Sequence, residues 1–247
     1  MVSDQVLIRP ERLPGDPRLG PLGLLVVNPG EAEIAARLSG NLQWQRHFLF
    51  NSRMFADQAA EQARISFWAG PAVGAPMAAM VLEKLIILGA KKVVVFGWCG
   101  SLDPALPMGT LLLPTWAVSE EGTSGHYPTQ GRPESGTLLR RSVHDYLAPR
   151  ERVLEGPVWT TDAPYRETRE KVRRFREQGV VAVEMEFSAL CSVAAYRGVE
   201  IAGVMLVSDE LWREEWQSGF RNKSFRKRNR EILEMLFRYE TGEGRSP

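Results

Sequence analysis

Between positions 180 and 211 the chain reads VVAVEMEFSALCSVAAYRGVEIAGVMLVSDEL, and few folds can hold such a stretch. The β-branched run 180–183 predicts a buried strand. Glu184-Met185-Glu186 follows at once. Residues 187–196 are small and apolar and predict a helix. Arg197 closes it as a last-turn cation and Gly198 as the glycine after the cap. A second apolar run, 201–207, predicts another buried strand, which stops at Ser208-Asp209-Glu210. Strand, helix and strand in that order predict two parallel strands joined by a right-handed crossover. In such sheets ligands lie at the carboxyl ends of the strands. Both acidic clusters fall there, and a purely structural unit does not require two of them on one rim.

The rest of the chain alternates in the same way. Residues 22–27 predict a buried strand, Asn28-Pro29-Gly30 a turn, and 31–38 a short helix with acids in its first turn. Residues 40–51 read as loop or edge strand, with Trp44, Phe48 and Phe50 alternating. Strands are predicted at 65–69, 92–96 and 110–118, and an extended segment at 152–160. Helices are predicted at 77–88, 138–147, 165–178 and 224–239, the last with Ile232, Leu233, Leu236 and Phe237 on one face. Residues 1–21 read as an irregular arm, 22–240 as the folded unit and 241–247 as a polar tail. The expectation is a single α/β domain with a central mixed, twisted sheet flanked by helices.

Composition narrows the function. A formal charge of +1 gives no global field to recruit nucleic acid or an anionic membrane. The basic run 221–230 reads as a solvated helix face. No run approaches the ~20 apolar residues of a membrane span, and the first twenty residues lack the apolar core of a secretory signal. Cytoplasmic placement is the expectation. The two cysteines, Cys99 and Cys191, sit in apolar runs and read as buried thiols. The three histidines, His47, His126 and His144, are far apart, and no metal-ligand spacing exists.

Glu-Met-Glu opening a helix, then a strand ending in Ser-Asp, resembles the nucleoside phosphorylase and nucleosidase superfamily. Further segments share the likeness. The turn at 70–76 (GPAVGAP, including Gly74) resembles the family's Gly-Ile-Gly-x-Pro turn. Residues 97–102 (GWCGSL) resemble its Gly-Thr-x-Gly-Gly-Leu strand end. Residues 121–127 (EGTSGHY) resemble the Asp-Gly-x-Ser-x-His-Phe segment of uridine phosphorylases. Thr161-Asp162-Ala163-Pro164-Tyr165 resembles the base-binding Ser-Asp-x-Phe segment. Either glycine cluster alone is a weak motif, but agreement across independent segments is not.

The resemblance implies roles. Glu186 would hold the ribose hydroxyls, with Met185 packed on the sugar and Glu184 beside them. Asp209 would protonate a purine at N7, oriented by Ser208; its alternative is a cap on the following turn. Tyr165 would stack on the base, with Asp162 near it. Ser124 and His126 would line the site or a subunit contact. No cofactor is implied, with inorganic phosphate as the candidate co-substrate, and the expected assembly is a dimer or hexamer of identical chains.

The departures concern the acceptor. After the first strand the family's phosphorylases carry Gly-Asp-Pro-x-Arg; here Asn28-Pro29-Gly30-Glu31-Ala32-Glu33 stands, without an arginine. The Gly-Asp-Pro-Arg at 15–18 precedes that strand. The second anion-binding arginine is also missing, with Val95 and Trp98 in its neighbourhood. That leaves Gly97, Trp98 and Gly74 at the nucleophile site, with Arg46 and Arg53 as the candidates to replace the lost charge. By the nucleosidase template Glu33 would activate water, with Glu31 a close rival. Three classes compete: N-glycosidic cleavage with phosphate or water as acceptor, a non-catalytic nucleoside-binding protein, and a dinucleotide oxidoreductase. The last lacks its Gly-x-Gly-x-x-Gly after the first strand.

Overall fold

The computed structural model describes residues 6–49, 51–57 and 64–241. Phe50, the first five residues and positions 242–247, most of the polar tail, lie outside the described residues. The described residues fold into one ten-stranded mixed sheet with helices on both faces.

Its centre is β1 (Leu22–Val26), buried at every residue. It pairs in parallel with β4 (Phe67–Gly70) on one side and β5 (Lys92–Ser101) on the other. Beyond β4 a hairpin of β2 (Gln45–Leu49) and β3 (Ser52–Ala56) forms the edge. The sequence reading stops at one edge strand there. The second, β3, is added because Asn51 adopts a left-handed φ of 56° and reverses the chain.

On the other side β5 pairs in parallel with β9 (Glu200–Glu210). The sheet also runs on through β6 (Leu111–Glu120), β7 (Val153–Thr161) and β8 (Ala182–Glu184). Because β8 comes back to pair with the end of β5, the strands β5, β9, β6, β7 and β8 close a ring. This overturns the parallel crossover expected for residues 180–211. The strands β8 and β9 do not pair with each other. Both pair with β5, β8 antiparallel and β9 parallel, so they run in opposite directions. The three residues of β8 are too few to span the sheet, and ring closure decides their direction. Their carboxyl ends still meet, head to head, across Gly100, which faces Val183 on one side and Asp209 on the other.

Helices α2 (Ala75–Leu88) and α5 (Phe187–Arg197) cover one face, where Leu82, Leu85, Phe187 and Leu190 are buried. Arg197 at the end of α5 forms a two-pronged ion pair with Glu83 of α2, at 2.8 and 2.9 Å. Helices α1 (Pro29–Asn41), α3 (Thr137–Leu147) and α6 (Lys223–Phe237) cover the other, around Val143, Ile232, Leu233 and Leu236. A third cluster stacks Trp159 on Phe175 of α4 (Arg169–Glu177), with centroids 4.4 Å apart. The helix predicted over 165–178 therefore starts late. Residues 164–166 form a 3-10 turn, and Thr168 caps α4 by accepting from the Lys171 amide at 3.3 Å. No helix among the described residues is long and apolar enough to cross a membrane.

Candidate active site

A cleft of about 570 Å³ opens where β5, β8 and β9 end. Two backbone devices shape it. The register between β5 and β9 shifts after Cys99, so that Gly100 faces Asp209 and Ser208 is the extra residue. Such a bulge re-aims side chains at a strand end. Gly100 has no side chain to spare: a Cβ there would collide with Leu211 and come within 3.1 Å of the Asp209 carboxylate.

Asp209 is buried. Its Oδ1 accepts from the Ser208 hydroxyl at 2.6 Å and its Oδ2 from the Trp216 indole at 2.7 Å. Burial raises its pKa above the ordinary carboxylate range, and these two hydrogen bonds hold it back. Across the cleft Glu186, also buried, accepts from the Gly74 amide at 2.6 Å. Gly74 has a φ of 82°, and this conformation aims its N–H, at the start of α2, toward the carboxylate. Burial, then the neighbouring Glu184, lifts Glu186 to about 8. Met185 lines the same wall.

Glu184 lines the cleft, but its oxygens already have partners. It accepts from the amides of Glu186 and Phe187, both at 2.7 Å, and from the Thr160 hydroxyl. It thereby closes the N-terminus of α5. Burial still raises it to about 7.

At the cleft floor Trp98 donates to Asn229 at 2.9 Å and stacks on Phe220 at 5.6 Å. Asn229 in turn donates to Glu31. Glu31 is buried and its pKa is raised by that burial. Glu33 sits at the protein surface in an ion pair with Arg53, outside the cleft lining. Positions two apart on a helix lie on nearly opposite faces, and the face of α1 that packs against α6 carries Glu31. Arg46 is exposed on β2, also away from the cleft. Gly97 is packed between Val27 and Met205.

At the opposite rim Tyr165 is 99% exposed, with its ring at the cleft mouth. Asp162 accepts from the Gly122 amide at 3.0 Å and does not line the cleft. His126 and Ser124 lie outside it as well. There Glu121 gathers the hydroxyls of Ser119 and Ser188 and the amides of Thr123 and Ser124. Burial pushes Glu121 up, but those hydrogen bonds outweigh it and the net shift is downward.

Among the cleft residues that escaped the sequence reading as site residues are Glu167, Trp216 and Phe220. The first was hidden inside a predicted charged helix. Its signal was the Pro164 turn before a threonine cap. The other two belong to the loop after β9, where an aromatic pair in a polar segment was the available clue. Two arginines line the cleft and both are engaged: Arg169 donates to the Glu214 carbonyl and Arg213 pairs with Glu210. Among the described residues no group of three or more His, Cys, Asp or Glu is placed to hold a metal ion.

A sequence profile of the phosphorylase superfamily matches residues 21–238, and the chain belongs to that superfamily. Over 144 residues it is 28% identical to the guanosine phosphorylase of Halorubrum lacusprofundi, a match covering 56% of this chain and 58% of that relative. That relative is thus matched over little more than half its length. The DeoD-type purine nucleoside phosphorylase of Bacillus cereus is 29% identical over 163 residues, covering 63% of this chain and 68% of that one. Among solved structures, purine nucleoside phosphorylase from Toxoplasma gondii superposes with a TM-score of 0.73 at 20% identity, over 90% of this chain and 92% of that one. AMP nucleosidase from Bacteroides thetaiotaomicron gives 0.70 at 20% identity, over 89% of each. These structural likenesses establish the fold.

Proposed function

We propose that this chain cleaves the N-glycosidic bond of a purine nucleoside. One observation carries the reading: Glu186 and Asp209, two buried carboxyl groups held above their ordinary range, line one cleft at the strand ends. Asp209 gives a proton to N7 of the base. The electron pair of the C1′–N9 bond leaves with the base, and Glu186 holds the ribose hydroxyls as positive charge develops at C1′. The acceptor oxygen then bonds to C1′; a water acceptor sheds a proton to solvent as it does so, and Asp209 takes one back from solvent. Water is favoured over phosphate, because a phosphate needs cationic or N–H donors and both cleft arginines are already engaged.

The test is product analysis on a panel of purine nucleosides, with and without phosphate. Free ribose regardless of phosphate is the expected result. Ribose 1-phosphate appearing only with phosphate would overturn the acceptor, and Arg46 and Arg53 would become the residues to mutate. The second reading, binding without catalysis, is favoured by the Trp98–Phe220 stack filling the floor. It gains if nucleosides bind and no base is released. The reading includes work in the cytoplasm as a homo-oligomer joined through the β2 edge, where Phe48 is 84% exposed. A monomer in sedimentation would reject that assembly.

A further inference from the structure

One acid in the cleft has no task in the reaction above. Glu167 stands between the 164–166 turn and α4, half-buried, in the lining of the same cleft as Asp209. Among the described residues its carboxylate accepts no hydrogen bond and joins no ion pair. The charged groups facing it are Asp209 from β9 and Lys171 from α4, and the Lys171 ammonium is already bound to Glu120 at 2.8 Å. Arg169 of α4 and Arg213 of the loop after β9 are engaged elsewhere, and Glu184, Glu186 and Glu214 line the same cleft. Its carboxylate is therefore left to water or to a ligand in the cleft.

We propose that Glu167 and Asp209 together read the N7 and C6 edge of a purine, and that the one proton shared between them selects a 6-amino over a 6-oxo base. The inference rests on Asp209 donating to N7. On that edge a 6-aminopurine presents an acceptor at N7 and a donor at the amino group, whereas a 6-oxopurine presents two acceptors. A protonated Asp209 beside an ionised Glu167 complements the first. The second meets the Glu167 carboxylate oxygen to oxygen unless that group also takes up a proton. Burial, then the charge of Asp209, lifts Glu167 to about 7, so the shared proton rests on Glu167 in the free protein, an N7 acceptor draws it to Asp209, and a second proton is taken up only as pH falls further.

The experiment compares kcat/KM for adenosine and inosine across pH, in the wild type and in Glu167→Gln. The wild type is expected to favour adenosine above neutral pH by about tenfold or more, the cost of one mispaired charged hydrogen bond. That preference should shrink in acid. Glu167→Gln, whose amide can donate to a 6-oxo group, should move the ratio about tenfold toward inosine and flatten its pH dependence. If Asp209→Asn abolishes turnover while Glu167→Gln leaves the ratio unchanged, this inference falls and the role of Asp209 stands. If the wild type cleaves neither nucleoside, the glycosidic reading falls, and calorimetry with free adenine and hypoxanthine decides instead. A preference for adenine that Glu167→Gln removes supports the pairing; equal preference in both proteins overturns it.

Discussion

Asp209 and Glu186 are each held by few contacts, and each contact has a measurable consequence. Replacing Asp209 with Asn keeps the acceptor for Trp216 and removes the transferable proton. Turnover should fall by about 10²–10⁴-fold, the usual range for a general acid, with the circular dichroism spectrum unchanged; full activity would remove Asp209 from the chemistry. Glu186 makes a different prediction. Its folded pKa of about 8 lies above that of an unfolded glutamate, so the folded state holds its proton longer. The stability this leaves intact in acid is lost as pH rises through neutrality toward 8. Glu186→Gln should therefore match or fall below the wild type in acid and gain on it as pH rises, by on the order of 2 kcal/mol. Thermal melts at both ends of that range give the sign directly. The choice between Glu31 and Glu33 also belongs to this scale. The sequence placed both in the first turn of one helix. Which of them is buried depended on Asn229, nearly two hundred positions away.

Two elements are built around the cleft rather than around the core. The end of β5 passes beneath Asp209 only because residue 100 is glycine. Gly100→Ala should cost roughly 1–3 kcal/mol, as overpacked sites do, and should push Leu211 and its loop away from the cleft. Weakened nucleoside binding with a modest drop in melting temperature is the expected pair of results; an unaltered binding constant would show that the loop absorbs the methyl. At α4, Thr168→Ala removes the side-chain cap and should cost about 1 kcal/mol, seen as a small loss in melting temperature. Because Glu167 adjoins that cap, the adenosine-to-inosine ratio should shift as well. Reading 165–178 as one charged helix placed Glu167 on a solvated face. The threonine cap instead starts the helix four residues later and turns Glu167 toward Asp209.

Taken whole, the molecule is nearly neutral, yet five acids line the cleft against two engaged arginines. A dianion has little to hold it there, so phosphate should leave the rate of base release unchanged. A rate that requires phosphate would mean that a second copy supplies the missing cation. Most of this architecture could be read in the sequence because its signals are local. Runs such as 22–27 and 201–207 read as buried strands because they are continuous apolar segments of strand length bounded by turn or polar residues. The Glu-Met-Glu and Ser-Asp clusters had to fall at strand ends for the same reason. What tertiary structure alone decided depends on contacts between distant segments. Ring closure through the last residues of β5 set β8 antiparallel where a crossover predicted parallel. The packing of α1 on α6 chose Glu31 over Glu33 for burial. The loop after β9 brought Trp216 onto Asp209, and the turn before α4 brought Glu167 beside it. Periodicity shows which residues share a face of one element, whereas which faces meet is determined by chain segments far apart in the sequence.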